Sequence, residues 1–271
     1  MAAMFQDKYV FSQLTAFLNR TQFNNYVRKY DGNRYVKHFT CWNQLLAMMF
    51  GQLSNRESLQ NLIVAFEAHR AKQYHLGLGR KPIAKTTFTS ANQNRDYRIF
   101  EDFAFYMMEQ ARKKRVTDIF KLKGNVYAFD STTIPLCLSV FWWAKFRKKK
   151  GGVKAHVLNA FHLTASEIAN LYKNRWQIEL FFKWLKQHLK IKKFWGTTEN
   201  AVRIQISSAI IAYYLVAIVQ NDLQLKRSTY EVLQILSISL MDKTPLVDLF
   251  ERTDFNNVKG LDCPLFPGLF D

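Results

Sequence analysis

Cysteine is scarce in this sequence. Its three copies, Cys41, Cys137 and Cys263, are odd in number and far apart. With no CxxC pair and no His/Cys ligand spacing, the pattern excludes a disulfide framework and a zinc site and suits a reduced, cytoplasmic setting. The six histidines, His38, His69, His75, His156, His162 and His188, show no ligand spacing either. Met1 to Val10 holds no apolar signal-peptide core. One apolar run, Ile206 to Val219, is broken only by Ser207 and Ser208, is too short for a bilayer and is followed by Asn221 and Asp222. A buried core helix is expected there, and no membrane is expected as a partner. No internal repeat is visible.

Acidic residues are also short. Against 39 Lys and Arg stand 21 Asp and Glu, a formal charge of +18 over 271 residues. The sequence pI is 9.8. Solubility needs far less, and such an excess strains a compact chain by self-repulsion. A polyanion partner explains the surplus. Nucleic acid comes first, because neutralised phosphates release counterions and give affinity without sequence reading. Apolar residues make up 48% and charged residues 22%, enough for a real core in one large domain or two ordinary ones.

The first 118 residues read as helical. Phe11, Leu14, Phe17 and Leu18 fall at helical spacing, as do Leu45, Met48, Met49 and Leu53, with the methionines as core filler. Gly51 to Asn55 is a helix-ending turn before a Ser58 to His69 helix. Gly77 to Pro82 is a loop whose two glycines are too weak a signal for a phosphate cradle. The segment Lys85 to Arg98 is rich in Thr, Asn, Gln and Arg. A polar helix after a short turn suits a major-groove reader, with Arg95 and Arg98 on phosphate or base edges. The same composition also suits a solvated helix face. A Phe100 to Arg115 helix follows, and its terminal cations satisfy the helix dipole.

From Asn125 the pattern changes. Val126 to Ile134 is β-branched and aromatic, a buried strand with a polar end at Asp130-Ser131-Thr132. Arg147 to Gly152 is a basic turn, and Val153 to Leu158 a second strand. A long helix is expected from about Ala165 to Lys190, with capping-box spacing at Thr164 and Glu167. On a helical wheel Ile168, Leu171, Ile178, Phe182, Leu185 and Leu189 share one side. Tyr172, Arg175, Glu179 and Lys186 fall within about 60° of one another on its shoulder. Arg175 and Glu179 alone make an ordinary i,i+4 ion pair.

The spacing Tyr172-x2-Arg175-x3-Glu179-x6-Lys186, together with the strand carrying Asp130, resembles the YREK signature of a large subgroup of bacterial insertion-sequence DDE transposases. The strand Tyr127 to Thr132 resembles the one bearing that family's first catalytic Asp. Asn170 to Glu199 resembles its third-acid helix, and the N-terminal part, with the segment Ala91 to Glu101, its helical DNA-binding domain. The resemblance implies an RNase H-like fold in which carboxylates hold two Mg2+ or Mn2+ ions for in-line displacement at phosphorus. By it Asp130 and Glu179 are the catalytic, metal-holding acids. Tyr172, Arg175 and Lys186 hold phosphates of double-stranded DNA at the inverted-repeat ends.

This sequence departs from that family at one place. Between Asp130 and Glu179 it contains no Asp, and the one acid there, Glu167, stands about 18 Å from Glu179 along the same helix. Two hairpin strands, a crossover helix and the strand of the second Asp take roughly 40 residues or more, and Ser131 to Thr164 is too short. Phe141 to Lys150 is too aromatic and basic for an ordinary strand. The expectation is an α+β, mostly α chain: a helical DNA-binding domain over 1–118 and a truncated RNase H-like domain over 119–271, joined abruptly near Leu158-Asn159. Such a chain would bind DNA, as a homodimer or paired with intact transposase, and would not cut it. An intact activity is the competing reading.

Overall fold

Small polar side chains decide where most of the helices begin. In the computed structural model, which describes residues 7–114, 130–136, 145–147, 150–157 and 194–252, Asn19 accepts from the Gln22 amide and starts α2 (Arg20–Lys29). It follows the short α1 (Val10–Thr15). Thr40 and Asn43 form a reciprocal capping box at α3 (Cys41–Leu53), and Ser58 caps α4 (Leu59–Ala68). After α5 (Lys85–Asn94) and α6 (Arg98–Lys113) come three strands: β1 (Asp130–Leu136), β2 (Lys145–Arg147) and β3 (Lys150–Val157). Thr198 then caps α7 (Glu199–Asp222). Ser228 and Glu231 box the start of α8 (Thr229–Ser239), and α9 (Leu246–Arg252) follows. Each such cap satisfies amide donors that the first turn leaves without partners.

Helix α7 organises the helical body. It is 24 residues long, longer than its apolar run suggested, and its most apolar 18-residue stretch has mean hydropathy 1.8. It is the one helix among the described residues long and apolar enough to cross a membrane. Here it is buried on nearly every side, as a helix apolar all round must be. It packs against α1, α3, α5, α6 and α8. One hydrophobic core runs from Val10 and Phe11 through Phe50, Phe66, Phe100 and Phe103 to Tyr214, Leu236 and Phe250. Among the described residues this core is shared by segments on both sides of position 118. Residues 199–252 belong with the N-terminal helices, because α7 offers too much apolar surface to stand apart from them.

The ends of that body are stitched by buried polar groups. The Val10 and Phe11 amides, unpaired within α1, donate to the carbonyls of Asp242 and Leu240 at 2.8 and 3.1 Å. Fully buried Gln13 donates to Lys8 and Thr244 carbonyls and accepts from the Leu246 amide.

The strands form an antiparallel sheet in the order β1-β3-β2, with Asp130 opposite Val157 and Leu136 opposite Gly151. Three expectations about the strands need correction. Among the described residues the first strand begins at Asp130 and runs on to Leu136. Pro135 is tolerated because β1 is an edge strand of this sheet, where a missing donor costs little. The second strand begins at Lys150, inside the expected basic turn, and part of the 141–150 stretch is extended as β2. Pairing with a neighbouring strand outweighs the weak intrinsic preferences of Lys and Gly. The long helix expected over 165–190 lies outside the described residues.

Candidate nucleic-acid interface

The segment Lys85 to Arg98 is a helix, a break and the start of another helix. In α5, Phe88, Ala91 and Asn92 are buried, while Thr86, Thr87, Ser90 and Asn94 are exposed. Thr86, Ser90 and Asn94 recur every four residues and so share a face. That face forms one wall of a cleft of about 1030 Å3 between α5, the loop after α2 and the loop before α5. The other walls carry Arg34, Lys37, His38, Arg80 and Lys81, with Asp31 and Asp96 as the opposing acids. Lys81 Nζ lies 2.8 Å from His38 Nε2. A smaller cleft of about 690 Å3 adjoins it through Asp31 and Arg34 and adds Arg20 and Arg28. Arg20 lies over the Trp42 ring at 5.5 Å.

Uncharged hydroxyl and amide groups on a helix face, flanked by cations on two loops, suit double-stranded DNA: the loops can hold phosphates while the helix meets base edges. The loop cations were not singled out in the sequence. Their only signal there was the overall charge surplus, which does not say which lysines and arginines converge.

Glycine shapes one loop wall. Gly77 and Gly79 adopt φ of +78° and +93°, in the left-handed region open to glycine, while Leu76 and Leu78 beside them are buried. The Asn43 side chain donates to the Gly77 carbonyl at 3.1 Å.

The two arginines expected to touch DNA are placed differently. Arg95 caps the C-terminus of α5 in an extended conformation. Its guanidinium donates to Gln44 Oε1 at 2.8 Å and to the Phe39 carbonyl, and lies over the Phe39 ring. Burial pushes its pKa down, opposed by the neighbouring Cys41. Arg95 thus lines the cleft floor while its donors are committed inside the protein. Arg98 is more exposed. It grips Asp96 through Nε and Nη2 at 3.0 and 2.5 Å and lies over the Tyr30 ring. Arg98 holds the Asp96 carboxyl below the usual carboxylate range.

The segment Trp195 to Asn200 locks this region to α7. The Asn200 amide donates to the carbonyls of Asn92 and Arg95 at 2.9 and 2.5 Å, and its oxygen accepts from the Tyr97 amide at 3.3 Å. The Trp195 amide donates to Gln205 Oε1 at 2.8 Å. A Cβ built on Gly51 would come within 2.3 Å of the Trp195 ring, so α3 admits the indole only because that position is glycine.

Of the expected catalytic residues, Asp130 opens β1, where the backbone alone is described. Tyr172, Arg175, Glu179 and Lys186 lie outside the described residues. Among the described residues no group of three His, Cys, Asp or Glu could hold a metal ion.

Comparison with known proteins gives the class. Residues 6–79 match a family described as a domain of unknown function (DUF4372), and residues 157–215 match the Transposase DDE domain. Over residues 157–215 the chain is thus similar to the DDE transposases. Three curated relatives are named as putative or probable transposases, two of them for insertion sequence elements. One from Sinorhizobium fredii is 47% identical over 90 residues, 33% of this chain and 23% of the relative. Another, from Geobacillus stearothermophilus, is 47% identical over 70 residues, 26% of this chain and 19% of the relative. A third, from Synechocystis, is 37% identical over 81 residues, 30% and 24%. The chain thus spans about a quarter or less of the length of these relatives. No solved structure matches.

Proposed function

We propose that this chain is a transposase-derived protein that binds double-stranded DNA, at the inverted-repeat ends of an insertion sequence, through the basic cleft along α5. The observation that carries this reading is the juxtaposition of the Thr86, Ser90 and Asn94 face with Arg34, Lys37, Arg80 and Lys81 around one cleft. A net charge of +18 supports it.

We also propose that the catalytic half is shortened and does not cut DNA. In the RNase H-like reading, Asp130 and Glu179 are the metal-holding acids, and Tyr172, Arg175 and Lys186 bind phosphate beside them. Carboxylates are the right donors for Mg2+ or Mn2+, but residues 131–178 add no Asp to the pair. Two such ions would supply activation of the attacking oxygen and stabilisation of the leaving one. The donor set falls short of holding them. The match to the Transposase DDE domain begins at residue 157, beside the junction read at Leu158-Asn159, and β3 ends there. That coincidence supports an internal deletion. A chain of this kind would repress transposition by occupying ends or by pairing with intact subunits or itself.

The competing reading, a complete metal-dependent nuclease and strand transferase, draws on Asp130 heading an antiparallel sheet. The test is a pair of assays with the terminal inverted repeat. Gel shifts at stated salt concentrations should show duplex binding above that of RNA. Incubation with Mg2+ or Mn2+ should show no cleavage or strand transfer. Cleavage that disappears in Asp130→Ala would establish the competing reading.

A further inference from the structure

Tyr35 is the most exposed large apolar side chain among the described residues, at 89%, and most of the other described tyrosines are half-buried or buried. It stands at the tip of the loop after α2, between Arg34 and Val36, which both line the basic cleft. Its backbone has φ of +56°, a left-handed conformation that residues bearing a Cβ disfavour. Such a backbone persists only where the surroundings impose it, and it is a pointer to a working position.

The base of the loop supplies the constraint. The Gly32 amide donates to the Val27 carbonyl at 2.9 Å, and the Arg34 and Val36 amides close turns onto Asp31 and Asn33 at 3.0 and 3.1 Å. Asn33 Oδ1 accepts from the Cys41 amide at the start of α3, and Cys41 Sγ donates to the Gly32 carbonyl. The loop is therefore tied to the buried end of α3 while its tip projects outward. The Arg34 guanidinium lies 5.0 Å from the Tyr35 ring centroid, and Nη2 donates to the tyrosine hydroxyl at 3.3 Å. An exposed aromatic ring beside cleft-lining cations can leave water against a flat apolar surface such as the face of a base.

From this geometry we infer that Tyr35 is a stacking wedge, whose ring enters an opened base step of the bound duplex while Arg34 and Lys37 hold the adjoining phosphates. The inference rests on the DNA-binding reading and adds a deformation of the duplex to it. A wedge exchanges base–base stacking for ring–base stacking and binds best where the step is already weak. Recognition of this kind needs no particular sequence.

The probe is a mixed-sequence duplex of about 20 base pairs carrying a mismatched 2-aminopurine at its centre, beside the fully paired duplex, with the full chain at low salt. The wild-type chain should prefer the mismatched duplex and change its 2-aminopurine fluorescence on binding. Tyr35→Ala should bind the paired duplex through its phosphates but lose about tenfold in affinity for the mismatched one, the lower range for one base stacked on an aromatic ring. It should also lose the fluorescence change. Tyr35→Phe should retain both, since the ring does the work. If Tyr35→Ala keeps the preference and the signal, the wedge is overturned and the DNA-binding reading stands. If Tyr35→Phe behaves like Tyr35→Ala, the hydroxyl is the contact and stacking is overturned. If the wild-type chain binds neither duplex, the DNA-binding reading itself falls. Circular dichroism of each variant establishes that this exposed position leaves the fold intact.

Discussion

Gln44 and Arg95 meet at the floor of the basic cleft, where the buried Gln44 carboxamide accepts from Arg95 at 2.8 Å and donates to Asn92 at 2.6 Å. This contact joins the first turn of α3 to the end of α5, 51 residues apart in sequence. It sets the angle at which the Thr86, Ser90 and Asn94 face is presented. Arg95→Ala would leave the Gln44 oxygen and the Phe39 carbonyl without a partner. We expect a loss of about 1.5–3 kcal/mol, the range for hydrogen bonds to a charged group. Urea unfolding followed by circular dichroism measures it. An unchanged midpoint would show that the bond contributes nothing.

Gly51 and Trp195 make the second test. Trp195→Ala should cost about 3–5 kcal/mol through the cavity it leaves. Gly51→Ala should cost about 1–3 kcal/mol through overpacking against the indole. The double variant should be less unstable than the sum, because the smaller side chain makes room for the added methyl. Additive melting shifts would mean that the two positions do not share that space.

Lys37→Ala and Arg80→Ala should weaken duplex binding uniformly across sequences. Each should also reduce the slope of log affinity against log salt by about 1, the mark of one lost phosphate contact. Thr86→Ala or Asn94→Ala should instead change affinity for one sequence relative to another. A salt titration of the binding constant separates the two outcomes, and a slope unaffected by both charge removals would remove the cleft from the interface.

Burial lifts Tyr213 from the ordinary 10.0 to about 12, and Tyr214 in the same helix is lifted too. Both stay neutral in the fold at pH values where the unfolded chain ionises. Their contribution is fully present below pH 10 and falls as pH rises from there, since the unfolded state then binds fewer protons. Unfolding free energy should therefore decline between pH 10 and 12, and Tyr213→Phe should make that decline shallower. An identical profile in the variant would show that Tyr213 does not couple to folding.

Local features were legible where local chemistry decides them. The Ser58 start of α4 and the buried character of residues 206–219 follow from caps and apolar spacing, whereas α3 runs through Gly51 to Leu53 and turns only at Ser54 and Asn55. The polar face of α5 was legible as composition. Arg95 was not, because the same guanidinium in sequence serves a phosphate or a buried carbonyl equally well. Arg34, Lys37, Arg80 and Lys81 escaped notice because they sit in two loops separated by more than forty residues, and nothing local marks them as neighbours. The role of Asn200 was not legible either, because its partners Asn92, Arg95 and Tyr97 lie more than one hundred residues away in sequence.

The sequence by itself determined the charge surplus, the helix starts, the transposase resemblance and the absence of an Asp between Asp130 and Glu179. Those are properties of composition, of neighbours within a turn, or of order along the chain. Tertiary structure alone decided that α7 completes the core of the N-terminal helices, that Arg95 faces inward and that the loop of Tyr35 faces out. Each of these depends on which distant surfaces pack together, and burial energy is shared among segments that have no signal in common until they meet.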